Sequence, residues 1–272
     1  MSLIKILVSV FMVVTLSLIA EFVSPRVAGI LSGYPLGAAI SLFFIGLEIS
    51  PLFAAESSLY TMTGLVAIQS FIYCYYLASC GVKPQRKWFS ITASSLAGLA
   101  GYALTISILH GLKASIFISL VIPLASFLLF RFLFKKIRDV KIESRIPLNV
   151  FLLFGRGLFA AAVILLITWA ARLVGPRWAG LFSAFPITLF PVMVIVHFSY
   201  RLEHVHTLIK NVPDGLVSLF IYALVVHLTY PPLGIYFGTL IAYFCATVYL
   251  VITHMGLRPA RVFHRTRDGE SR

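Results

Sequence analysis

The chain has 272 residues, of which 60% are hydrophobic and only 11% are charged. Soluble domains carry charge on about a quarter of their residues, so this composition excludes a soluble enzyme, a secreted disulfide scaffold and a disordered chain. The formal net charge of +13 is interpreted as the topology signal of a membrane protein, and no nucleic-acid partner is expected.

The sequence predicts an all-α polytopic protein with about nine transmembrane helices, each long enough to cross about 30 Å of hydrocarbon. The predicted spans are 4–23, 27–49, 60–80, 88–110, 113–134, 149–173, 179–199, 213–230 and 233–254. The first is not followed by a cleavage-site pattern, so it is interpreted as a spanning helix and not as a signal peptide.

Basic residues are distributed unevenly between the two sides of these spans. With the N-terminus outside, 18 lysines and arginines lie on the cytoplasmic side, against four on the outer side. The four outer residues are Lys5, Lys113, Arg172 and Arg177. The positive-inside rule therefore predicts an outer N-terminus and a cytoplasmic C-terminus. The cytoplasmic basic residues are also expected to contact anionic lipid headgroups.

One motif occurs twice. Residues 23–35 read VSPRVAGILSGYP and residues 174–186 read VGPRWAGLFSAFP, with seven identities at an offset of 151. We interpret the chain as two four-helix repeats, and the helix between them inverts the second. The predicted units are membrane repeat 1 in 1–110, a linking helix with a basic cytoplasmic loop in 111–148, membrane repeat 2 in 149–256 and a basic cytoplasmic tail in 257–272. Inverted repeats are typical of secondary transporters.

The repeated motif also predicts where its helices start and break. Proline fits the first turn of a helix, and in mid-span it removes a backbone hydrogen bond. The prolines expected to start or break the helices are Pro25, Pro35, Pro176 and Pro186. A cation in the first turn opposes the helix dipole, so the arginine of each motif is expected to meet an anion.

The motif supplies the candidate substrate-binding residues, which are Arg26, Arg177, Ser32, Ser183, Gly29 and Gly180. The arginines would contact a small anionic ligand, and the serines would line its site. The alternative is that the motif is a packing and turn device, because small residues and kinking prolines are common where membrane helices cross.

Ionisable residues within or beside membrane spans mark candidate functional positions. The candidates for proton coupling are Glu21, Glu48, His197 and His227. Their alternative roles are structural: Glu21 could pair with Arg26, and the histidines could be hydrogen-bonded within the fold. Glu56 is expected in the outer loop after the second span, and Asp214 at the start of the eighth.

The sequence contains no recognisable catalytic pattern. Glu203-His204-Val205-His206 places its two histidines on different faces of a helix, without further metal ligands. The Walker lysine motif, G-x-S-x-G and H-E-x-x-H do not occur. We therefore expect no catalytic residue, no metal and no cofactor.

The run Arg177-Trp178-Ala179-Gly180-Leu181-Phe182-Ser183-Ala184-Phe185-Pro186, followed by apolar residues up to His197, resembles the GlpM-like family of small four-helix bacterial inner-membrane proteins. The first repeat departs from this pattern, with Gly46 at the position of His197. The resemblance implies a fused, inverted double version in a bacterial inner membrane, and it implies no substrate.

These patterns favour a secondary transporter or translocase for an anionic small solute or a lipid-linked anion, bound between the broken helices of two inverted repeats. The first alternative is a non-transporting membrane assembly or scaffold protein. The second is a lipid-modifying membrane enzyme. The expected partners are the lipid bilayer and a small anion, and a homodimer is an open alternative to a monomer.

Overall fold

The fold was examined in a computed structural model, which describes residues 7, 10, 11, 30–82, 86–138, 140 and 150–255. Regular structure within these ranges is helical throughout. The helices are α1 (Gly37–Glu48), α2 (Pro51–Gly81), α3 (Lys87–His110), α4 (Ile116–Leu133), α5 (Val150–Ser183), α6 (Leu189–Ser199) and α7 (Leu202–Leu250). A 3-10 turn (Phe134–Lys136) extends α4, and a π-helical turn (Val251–Met255) extends α7.

Two helix starts follow directly from local sequence. The Ser50 hydroxyl accepts a hydrogen bond from the Phe53 N–H at 3.1 Å, and Pro51 occupies the first turn of α2. The Ser115 hydroxyl accepts from the Ile118 N–H at 3.3 Å at the start of α4. These side chains satisfy N–H groups that have no partner within their own helix.

Two glycines fold long helices back on themselves. Gly175 in α5 has φ 76° and ψ 175°, and Gly234 in α7 has φ 75° and ψ 175°, a backbone region open almost only to glycine. Each helix therefore consists of two arms, 150–174 and 176–183 in α5, and 202–233 and 235–250 in α7. The arms of α7 run antiparallel, since the ring of Tyr222, before the glycine, lies 4.9 Å from that of Tyr243, after it. In α5, Ile167 and Ala170 of the first arm line a common space with Phe182 of the second.

The apolar helices are compatible with an integral membrane protein. Within the described ranges, six helical stretches are long and apolar enough to cross a membrane: Ile30–Glu48, Pro51–Gly81, Lys87–His110, Ile116–Lys136, Gly157–Ser183 and Leu202–Thr253. The count of nine spans is not confirmed by these six. Apart from Leu7, Val10 and Phe11, the first predicted span lies outside the described residues.

Two helices begin earlier than the hydropathy pattern predicts. The span predicted from residue 60 begins at Pro51, and the span predicted from residue 213 begins at Leu202. Their first two turns include polar residues that lower the local hydropathy without ending the helix. Glu56 consequently lies in the second turn of α2 and not in a loop, and Asp214 lies within α7 and not at its start.

The centre of the molecule is the antiparallel pair formed by α2 and the first arm of α7. At one end, His227 Nδ1 donates to the Ala55 carbonyl at 2.9 Å. At the other end, the His206 ring packs edge-on to Tyr76 at 4.7 Å. Buried aliphatic side chains fill the space between the two helices: Leu65, Ile68, Ile72, Leu208, Val212, Leu216 and Leu219.

The helix bounds recur at the offset of 151 residues. Helix α1 (Gly37–Glu48) corresponds to α6 (Leu189–Ser199), and α2 (Pro51–Gly81) corresponds to residues 202–232 in α7. The contacts at the two ends of the central pair recur as well. Ala55 is equivalent to His206 and Tyr76 is equivalent to His227. The Ala55–His227 and His206–Tyr76 contacts therefore join the same two positions of the repeat, with the halves exchanged.

Candidate functional site

Both copies of the repeated motif contain a helix interruption beside their second proline. The first lies at 33–36 and the second at 184–188. Their turns have equivalent hydrogen bonds: the Leu36 N–H donates to the Tyr34 carbonyl and the Ile187 N–H donates to the Phe185 carbonyl, both at 2.7 Å. Pro35 and Pro186 thus lie at the same position in two closely similar turns.

Each interruption packs against the middle of a central helix. A Cβ atom added to Gly33 would lie 2.6 Å from the Gly215 carbonyl carbon, and one added to Gly64 would lie 2.7 Å from the Ala184 Cβ. Gly33 is equivalent to Ala184, and Gly64 is equivalent to Gly215, so these two crossings are reciprocal. Small residues are needed at both because the backbones approach too closely for larger side chains.

A small cavity of about 20 Å³ lies between the two interruptions. Ser32 and Tyr34 line it from the first turn, and Pro186 and Thr188 line it from the second. The Thr188 hydroxyl donates to the Ser32 carbonyl at 3.4 Å, which joins the turns directly. This volume is sufficient for about one water molecule, so the interruptions are nearly closed against each other.

Of the predicted binding residues, the four that the structure describes do not form one site. Ser32 lines the central cavity, whereas Ser183 is fully buried and donates to the Ala179 carbonyl of its own helix at 2.7 Å. In this structure Ser183 is therefore bonded to its own helix and is not part of the lining of the central cavity. Gly180 serves close packing, because its carbonyl accepts from the Thr61 hydroxyl at 3.1 Å and an added Cβ would collide with the Ser57 carbonyl oxygen.

Four other predicted residues lie outside the described part of the chain: Glu21, Pro25, Arg26 and Gly29. Their assignments stay predictions. The comparison of Arg177 with its counterpart Arg26 therefore rests on sequence alone.

Arg177 lines a separate cavity of about 530 Å³ at the fold-back of α5, beside Gly175 and Pro176. Glu56 and Tyr60 from α2 and His110 from the end of α3 line the same cavity. The His110 ring stacks on Trp178 at 4.2 Å. A guanidinium beside a helix start can hold an anion, and the Glu56 carboxylate can hold a cation. We refer to this space as the arginine cavity.

The residues that accompany Arg177 were not predicted as members of its site. Glu56 was expected in a loop, and His110 and Trp178 were not singled out. Only the charge of Glu56 close to the start of a span provided a signal. The proximity of α2, the end of α3 and the fold-back of α5 arises from tertiary packing, which sequence spacing does not encode.

The two candidate proton-coupling histidines are both hydrogen-bonded. His197 is buried, with Nδ1 at 2.8 Å from the Tyr75 hydroxyl and Nε2 at 3.3 Å from the Ser90 hydroxyl. His227 donates to the Ala55 carbonyl, as described above. These bonds hold α6 against α2 and α3, and α7 against α2. Such contacts fit the structural alternative for both residues.

Glu48 forms an ion pair that the sequence pattern did not predict. Its Oε2 lies 3.4 Å from Nη2 of Arg172, and its side chain is 9% exposed while that of Arg172 is 57% exposed. The pair joins the end of α1 to α5 close to the Gly175 fold-back. Glu48 is thus tied to a permanent cation.

We expect Arg172→Ala to destabilise the protein by about 1–2 kcal/mol, because it removes a cation from beside a mostly buried carboxylate. The exposure of Arg172 keeps this value below that of a fully buried pair. Thermal unfolding in detergent would measure the loss. Arg172→Ala combined with Glu48→Gln should recover most of it. Equal loss in the single and double variants would contradict a stabilising role for the pair.

Within the described residues, no group of three or more histidine, cysteine, aspartate or glutamate side chains could hold a metal ion. Cys74, Cys80 and Cys245 are free thiols. The residues described here therefore suggest no candidate metal centre.

No protein-family model matches the chain, and comparisons with curated proteins and with solved structures also found no match. The resemblance to the GlpM-like family therefore stays a prediction.

Proposed function

We propose that the protein is a secondary transporter or translocase, in which an anionic small solute or a lipid-linked anion passes between the broken helices of two inverted repeats. In such proteins, the two halves exchange conformations and open a central site to one side at a time. The observation that carries the proposal is the antiparallel pairing of α2 with the equivalent arm of α7.

Reciprocal contacts support a two-fold relation between the halves. A two-fold axis requires that a contact between position i of one half and j of the other be matched by the contact with i and j exchanged. The Gly33–Gly215 and Gly64–Ala184 crossings meet this requirement. Because the equivalent central helices run antiparallel, the axis proposed here lies in the membrane plane.

The size of the central cavity supports a closed conformation. A space of about 20 Å³ admits no organic solute, so the proposed cycle includes a movement that separates the two interruptions. Their turns lack the continuous hydrogen-bond ladder of a helix, which makes them suitable places for such a movement. In the proposed topology, the N-terminus is outside, the arginine cavity faces outward and the membrane is a bacterial inner membrane.

The scaffold alternative has one observation in its favour. Gly180 and Ser183 are used for tight packing and for a hydrogen bond within their own helix, as expected of a motif that only joins helices. A scaffold would keep the two interruptions closed. The decisive difference is therefore whether the central cavity becomes accessible to water from both sides.

Cysteine accessibility tests this difference without knowledge of the substrate. Ser32→Cys and Thr188→Cys are introduced separately into a chain whose native thiols are replaced by serine. These native thiols are Cys74, Cys80 and Cys245. A membrane-impermeant maleimide is then applied to right-side-out and to inside-out vesicles. We expect each introduced thiol to be labelled from both sides, because the cavity opens alternately.

Two control positions calibrate the labelling. Ser126→Cys lies in the buried contact between α4 and α2, where Ser126 accepts a hydrogen bond from Gln69 at 2.7 Å, and should stay unlabelled. Leu112→Cys lies between α3 and α4 on a half-exposed side chain and should react from one side only. Transport would be contradicted if neither cavity position were labelled, or if both were labelled from one side of the membrane only.

A further inference from the structure

We infer that the arginine cavity and an adjoining apolar groove together form a binding site for one zwitterionic phospholipid that carries a phosphate and an ammonium group. The site is separate from the small central cavity between the interruptions. The inference therefore goes beyond the proposed transport and does not depend on it.

The charges of the arginine cavity match such a headgroup. Arg177 and Glu56 line the same space of about 530 Å³, which lies within the size range of small-molecule sites. Among the described residues, neither side chain has a hydrogen-bond or ion-pair partner. Arg177 beside the helix start at Pro176 suits the phosphate, and the Glu56 carboxylate suits the ammonium group.

The groove provides a place for an acyl chain. It has a volume of about 510 Å³ and lies between α3, the first arm of α5 and the interruption at 184–188. All its lining side chains are apolar, among them Phe159, Leu166, Phe182 and Phe190. Leu166 is 61% exposed, so the groove is open on the side where lipid chains surround the protein.

An aromatic stack connects the two parts. His110 lines the arginine cavity and stacks on Trp178, and Trp178 stacks on Phe182 at 5.2 Å, which in turn lines the groove. Arg177 and Phe182 are five residues apart on one helix, about 7.5 Å along its axis. Tryptophan side chains favour the level of the lipid headgroups. The succession of charged cavity, aromatic stack and apolar groove therefore matches the succession of headgroup and acyl chain in a phospholipid.

Native mass spectrometry of the delipidated full-length protein tests the site with added phosphatidylethanolamine or phosphatidylglycerol. We expect one phosphatidylethanolamine molecule to bind saturably and more tightly than phosphatidylglycerol. Arg177→Gln should weaken its binding by about tenfold, because a charge-assisted hydrogen bond is lost. Glu56→Gln should weaken phosphatidylethanolamine binding while leaving phosphatidylglycerol binding unchanged.

Variants outside the polar contacts complete the test. Ala170→Phe fills the groove and should reduce the binding of both lipids, whereas Lys113→Gln and Leu128→Phe, outside the cavity and groove linings, should reduce neither. Thermal unfolding identifies any variant that fails to fold. If Arg177→Gln fails, Arg177→Lys is used in its place, and if Ala170→Phe fails, Ala170→Leu is used.

Three outcomes would overturn the inference. Binding that is unsaturable and unaffected by all variants would mean ordinary annular lipid. Tighter binding of phosphatidylglycerol would mean an anionic lipid. Loss of binding only in unfolded variants would mean that no specific site exists. Failure of the cysteine-labelling experiment would reject transport and leave this lipid site intact, so the two proposals fail separately.

Discussion

Gly180→Ala and Gly215→Ala are each expected to lower the free energy of unfolding by about 3 kcal/mol, at the upper end of the usual cost of overpacking. An added Cβ at Gly180 would collide with the Ser57 carbonyl oxygen, and one at Gly215 would collide with the Ile30 carbonyl oxygen. Backbone oxygens in packed helices cannot rotate away as a flexible side chain can. The helices would have to separate, with loss of contacts along the whole crossing.

Thermal unfolding in detergent, together with the yield of monodisperse protein, measures this loss. The matched controls are Gly81→Ala and Gly155→Ala, since an added Cβ at either position meets no atom within 4 Å. Both controls should unfold close to the wild-type temperature. If Gly180→Ala or Gly215→Ala behaved like the controls, the close helix crossings described here would be wrong.

Gly175→Ala and Gly234→Ala are expected to cost about 1–3 kcal/mol each, for a reason unrelated to crowding. No atom lies within 4 Å of an added Cβ at either glycine. The cost comes from the backbone, because φ of 76° and 75° with ψ of 175° is a conformation that L-residues with side chains avoid. Both substitutions should weaken the fold-back of their helix.

The matched control is Gly111→Ala, which also lies at the end of a helix but has φ of −66°. Alanine adopts that angle readily, so this variant should unfold at or above the wild-type temperature. Limited proteolysis near residues 175 and 234 would locate the weakened fold-back. Unchanged unfolding of Gly175→Ala and Gly234→Ala would show that these glycines do not adopt positive φ.

The helical class and the two interruptions follow from local chemistry that the sequence displays. Pro35 and Pro186 remove backbone donors wherever they stand, so an interruption beside them needs no knowledge of the tertiary fold. The starts of α2 and α7 were misplaced because polar residues in a helix that packs on protein do not interrupt it. Hydropathy reports how favourably a residue is transferred into lipid. Residues such as Ser57 and Asn211 do not face lipid, because neighbouring helices cover them.

The site was harder to predict, and the geometry of a helix explains part of the reason. Arg177 and Ser183 belong to one motif but are six residues apart, about 9 Å along a helix. They consequently lie in different environments, one at the arginine cavity and one in the packed interior. The Glu48–Arg172 pair joins residues 124 positions apart, and no spacing rule connects them.

The two reciprocal crossings differ in one respect, since Gly33 meets Gly215 whereas the equivalent Ala184 meets Gly64. Two identical halves would give the inward-facing and outward-facing arrangements equal energy, and each would be populated equally. A single methyl group at one crossing removes that equality. In the proposed cycle, the resting orientation of the protein is thus set by the departure of its halves from perfect symmetry.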